Sequence, residues 1–231
     1  MAFTPASDGS ILAFRLIVAA VGGAFFWAVL RTYGRGRVAV VTLTVLTLWI
    51  GALTVLVASG KMTSLPLNGL PFFFAPILII CSAAALSPFG GRLAASVPLA
   101  ALVGFQAFRL PLELVLHSWA GQGTIPGTMT WTGQNWDIIS GITALVCAPL
   151  VRRHVAAARI ANIVGFALLL NVMRVAIMSS PFPFGWGQQP PLLLALHHPY
   201  FLIGPVCVGG ALFGHLVLTR ALWGAQLRAE S

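Results

Sequence analysis

Long apolar runs follow one another along almost the whole of this chain, near residues 11–30, 38–58, 70–87, 93–117, 136–151, 158–178 and 199–222. Most approach the roughly 20 residues that a helix needs to cross about 30 Å of hydrocarbon, and the fifth is short. Lipid offers the backbone no hydrogen bonds, so a segment of this kind must satisfy its own amides, and a helix does that within one run. With 7% charged residues and a mean hydropathy of +0.95, the chain lies far from the roughly one-quarter charged composition of soluble domains. The expected fold is an all-α polytopic membrane bundle of about seven transmembrane helices. No linker, low-complexity tract or internal repeat divides it, so residues 1–231 read as a single domain.

Charge sets the expected topology. Arg31, Arg35 and Arg37 follow the first run, Arg92 the third, Arg152, Arg153 and Arg159 surround the gap after the fifth, and Arg220 and Arg228 follow the seventh. Alternate loops hold only Lys61. Lys and Arg accumulate on the cytoplasmic side, which puts the N-terminus outside and the C-terminus inside. The formal charge of +9 is therefore topological, scattered singly between apolar runs, and it excludes a nucleic-acid patch. The first run lacks a basic leader and is expected to be a retained span. Cys81, Cys147 and Cys207 each sit alone in an apolar run, as small packing residues, with no metal-ligand or disulfide spacing.

Against this background the ionisable residues inside apolar segments stand out, because a charge at membrane depth is costly unless it is paired or lines a polar cavity. Arg109, Glu113 and His117 are spaced by four and form one helical stripe, interrupted by Pro111. That stripe reads either as an Arg–Glu lock between spans or as part of a binding pocket. Asp137 precedes the fifth run, where it suits either a helix cap or an anionic partner for a buried arginine. Asn171 and Arg174 lie one turn apart on the sixth run, as an amide steadying a guanidinium aimed at an oxyanion or carboxylate. His197 and His198 precede Pro199 at the start of the last run and suit acid–base work or a plain loop role. The topology puts all of these on the outer side and leaves His154 and His215 apart, so an extracytoplasmic polar pocket is expected.

The order Asp137-Ile138-Ile139-Ser140-Gly141-Ile142, then Asn171-Val172-Met173-Arg174-Val175, then His197-His198 resembles the exosortase/archaeosortase family of membrane cysteine transpeptidases, over about residues 130–222. The resemblance implies a bacterial cytoplasmic membrane, an outward-facing site, and a membrane-anchored protein or peptide substrate. It also implies an oxyanion-steadying Arg174 and a histidine acid/base at His197 or His198. The nucleophile does not carry over, since Ile139 occupies the family's cysteine position. Ser140 is the neighbouring hydroxyl, pointing about 100° away on a helix.

Two functions compete. One is an exosortase-like enzyme using Ser140 or Asp137 in the attack. The other is a non-catalytic protein that binds an anionic peptide terminus, lipid headgroup or partner helix at the same pocket, with Asn171, Arg109, Glu113 and His117 as binding residues. Membrane lipid is the expected partner in either case, and no cofactor is called for. A haem subunit would need His117 to face His197 or His198 across the bundle. A transporter would be expected to show internal symmetry, and none is visible.

Overall fold

The computed structural model describes residues 3–64 and 70–230, with the side chains of 63–64, 70–73 and 225–230, Arg228 and Glu230 included, outside the described set. The described residues are helical with irregular connections and contain no strand. The main helices are α1 (Asp8–Tyr33), α2 (Arg37–Ala58), α3 (Leu70–Leu86), α4 (Pro88–Ser96), α5 (Leu99–Gly121), α6 (Ile138–Leu150), α7 (Val155–Ser179) and α8 (Gly209–Glu230).

Five helical segments are long and apolar enough to cross a membrane: α1, α2, α5, α7 and Tyr200–Gly224. A sixth results if Phe74–Leu86 and Pro88–Ser96 are one span bent by 60°. The bend follows from local sequence. Ser87 caps α4 by accepting from the Phe89 amide at 3.1 Å, and Pro88 occupies the first turn, where its missing N–H costs nothing. Helix α6, the expected fifth span, has 13 residues. At 1.5 Å per residue it covers roughly 20 Å, about two-thirds of a hydrocarbon core.

The segment between α5 and α6 is itself partly buried. Thr124, Ile125, Met129, Thr130, Asn135 and Asp137 in it are all at most 5% exposed. The stretch expected to be an outer loop is thus folded into the bundle, packed on α5 and α7 through the short turn Gly127–Met129. Irregular backbone inside a membrane bundle is tolerated only where protein surrounds it or it lines a polar cavity.

The Tyr200–Gly224 segment is the axis of the fold, with 61% of its apolar window buried against 6% for α2. Its α8 portion packs on α3, α4, α5 and α7. Small residues, Ala157, Ala158, Ala161 and Ala221, are buried where α7 and α8 join that core, consistent with close helix approach in lipid. A second core joins Phe14, Ile17 and Val21 of α1 to Leu112, Leu116 and Trp119 of α5. Leu48 and Val55 of α2 are about two-thirds exposed, the surface expected of a lipid-facing helix.

Candidate functional site

Arg109 opens the second half of α5, after a 3-10 turn at Gln106–Phe108, and is 1% exposed. Its Nε donates to Asp137 Oδ2 at 2.6 Å and its Nη2 to Asp137 Oδ1, a two-point ion pair. Its Nη1 donates to the Gly165 carbonyl at 2.8 Å and meets His215 Nε2 at 3.1 Å. A guanidinium has no acceptor, so His215 Nε2 must accept, and the ring proton lies on Nδ1. Nδ1 then donates to Asn162 Oδ1 at 2.9 Å, and Asn162 Nδ2 donates to Thr219 Oγ1 at 2.8 Å. Thr219 Oγ1 donates in turn to the His215 carbonyl at 2.8 Å. One chain of hydrogen bonds therefore joins α5, the start of α6, α7 and α8.

Gly165 sits near the middle of the 25-residue α7. A Cβ there would stand 2.5 Å from His215 Cε1 and 2.9 Å from Ser140 Oγ, so only glycine lets the three helices meet. Gly141 does the same for α6, where a Cβ would collide with the Leu110 backbone.

Asp137 is the first residue before α6, but its carboxylate makes no cap hydrogen bond and is spent on Arg109. It lies inside the bundle, 5% exposed, rather than at a surface mouth. The stripe from α5 divides. Glu113 is 1% exposed, whereas His117 is exposed and stacked on Trp131 at 4.2 Å. The buried ion pair is Arg–Asp; no Arg109–Glu113 pair forms. Asn135 links the two acids, donating from Nδ2 to Glu113 Oε1 at 2.7 Å and accepting the Asp137 amide on Oδ1 at 3.3 Å.

A second cluster lies towards the C-terminal end of α7. Arg174 is exposed and donates from Nε and Nη2 to Asn171 Oδ1 at 3.2 and 2.9 Å. Its guanidinium stands 5.4 Å over the Trp186 ring, and Asn171 Nδ2 donates to the Gln134 carbonyl at 2.8 Å. Among the described residues no carboxylate lies within salt-bridge distance of Arg174.

His197 stacks on Phe3 at 3.9 Å, and burial holds its pKa below the usual histidine value. His198 is exposed, its pKa lowered by partial burial and then by Arg15. Ile139 is 49% exposed and apolar. Ser140 Oγ is buried without a hydrogen-bond partner. The histidine beside it is His215, which, with Asn162 and Asn135, sequence reasoning did not recruit. For His215 and Asn162 the available signal was a polar residue in an apolar run, the same signal that singled out Arg109; Asn135 lies before the fifth run and carried no such signal. Among the described residues no group of three His, Cys, Asp or Glu is gathered as a metal site.

Comparisons with protein-family models, with curated proteins and with solved structures find no match to this chain.

Proposed function

We propose that this is a non-catalytic membrane protein that binds an anionic group, a phosphate or carboxylate, through Arg174. The observation that carries the reading is a guanidinium held by Asn171 and Trp186 yet facing no acid among the described residues. Such a group is pre-ordered for a charge-assisted contact. The topology that fits is seven spans, with the N-terminus outside and Arg174 at the outer end of α7, in a bacterial cytoplasmic membrane. The order of motifs keeps the likeness to exosortases, and an apolar, half-exposed Ile139 supports a relative without the covalent step.

Binding tested with the protein in nanodiscs should separate the ligand sources, using vesicles rich in an anionic phospholipid against a soluble peptide with a free C-terminal carboxylate. Arg174→Gln is expected to weaken the productive one roughly 10- to 100-fold, the worth of one hydrogen bond to a charged group. Unchanged binding of both would end this reading.

A second reading rests on Ser140 Oγ, whose lack of a partner beside His215 supports a serine-based, exosortase-like processing of a membrane-anchored substrate. His215 Nε2 would first have to be released by Arg109, since its lone pair is already used. Retained processing activity in Ser140→Ala would eliminate it.

A further inference from the structure

The buried cluster contains two carboxyl groups and one guanidinium. Arg109 gives four of its five N–H bonds to Asp137, Gly165 and His215, and its charge is matched by Asp137 through two contacts. Glu113 is left with a single donor, the Asn135 amide on Oε1, while its Oε2 is buried with no partner. Asn135 has nothing more to give, because its Nδ2 also serves the Met129 carbonyl at 3.1 Å and its Oδ1 is occupied by the Asp137 amide.

Among the described residues the surroundings supply no other cation. On α5 itself, His117 lies one turn on and points outward to Trp131. The segment leading into α6 contributes Asn135 and the already paired Asp137, and the turn Gly127–Met129 has no titratable side chain. From α1, which packs on this half of α5, the charged residues Asp8 and Arg15 are exposed. An ionised Glu113 would therefore put a second, uncompensated negative charge in the core with one oxygen unsolvated. The ionised form of such a group is far costlier than the neutral one.

We propose that Glu113 is a proton-binding site: its carboxyl holds a proton on Oε2 in the resting protein, and Asp137 alone carries the anion that faces Arg109. The proton completes the charge balance of the cluster. The site is a store and not a wire. Arg109 has no acceptor with which to pass a proton from Glu113 towards His215.

Two measurements on the full chain in nanodiscs test this. A hydrophobic carbodiimide adds across a protonated carboxyl, the acid proton moving to nitrogen as the carboxylate oxygen bonds to the central carbon. The expected adduct is on the peptide containing Glu113, absent from the Asp137 peptide and lost in Glu113→Gln. Infrared spectroscopy at neutral pH should find a protonated-carboxyl C=O band in the wild type that Glu113→Gln removes. Carbodiimide modification of Asp137 in place of Glu113 would overturn the assignment. So would a wild-type spectrum with no protonated-carboxyl band, which requires no variant to fold.

Discussion

Arg109 shows how a single buried residue can be expensive and yet indispensable. It is completely enclosed, and removing one member of such a pair strands the other charge, at a cost of about 3–5 kcal/mol. Arg109→Ala and Asp137→Ala should each lower the thermal midpoint in detergent sharply. The double variant Arg109→Met/Asp137→Leu should be less destabilised than the two alanine losses combined, because no charge is left alone. Recovery will be incomplete, since the Gly165 carbonyl and His215 Nε2 lose their donor. His197 offers a gentler test. Its folded pKa lies below the ordinary histidine value of about 6.5, because burial, with the ring stacked on Phe3, disfavours the cation. The sign follows: the contribution of this contact is complete above about pH 6.5 and is lost as pH falls through the folded value. Its ring titration by NMR should have a midpoint below that of a free histidine, and Phe3→Ala should raise it.

Among the elements, α6 has the least conventional role. It is too short to span alone, and its first turn is set against Arg109 by the absence of a side chain at Gly141 and of one at Gly165 on α7. Adding bulk there must push helices apart. Gly165→Val is expected to cost about 1–3 kcal/mol by overpacking, with the loss read as a lower thermal midpoint. The same variant should leave anion binding at Arg174 almost intact, because Arg174 lies nine residues along α7, roughly 13 Å by helical rise. A change in binding as large as that of Arg174→Gln would mean that the two clusters are one site.

For the whole molecule, the arrangement of arginines predicts which face is cytoplasmic. Single-cysteine labelling with an impermeant reagent, in a background lacking Cys81, Cys147 and Cys207, should modify Gln189→Cys in intact cells. Arg152→Cys should react only after permeabilisation; both positions are exposed. The opposite pattern would invert the topology and place Arg174 on the cytoplasmic side.

Helical membrane character was legible from the sequence because the constraint is local: a long apolar run in lipid has to close its own hydrogen bonds, and hydropathy reports that run directly. The costly residues were legible for the same reason, since Arg109, Glu113 and Asp137 are conspicuous in apolar surroundings wherever the helices go. Partnership was not local. The sequence left Glu113, by its i, i+4 spacing, and Asp137 as candidate partners for a buried arginine; the guanidinium reaches Asp137 across 28 positions and His215 across 106, and those meetings depend on which helices approach closely enough. Likewise, the uncharged stretch Ser118–Gln134 falls between two apolar runs and reads as an outer loop. Thr124, Ile125, Met129 and Thr130 within it are nonetheless buried, through packing on α5 and α7 that no window of sequence contains. The amino-acid sequence by itself determined that charge would be buried in this bundle; tertiary structure decided that Arg109 and Asp137 neutralise one another, that Glu113 is left over, and that Arg174 stands apart, because Coulomb pairing and desolvation act through distance in space.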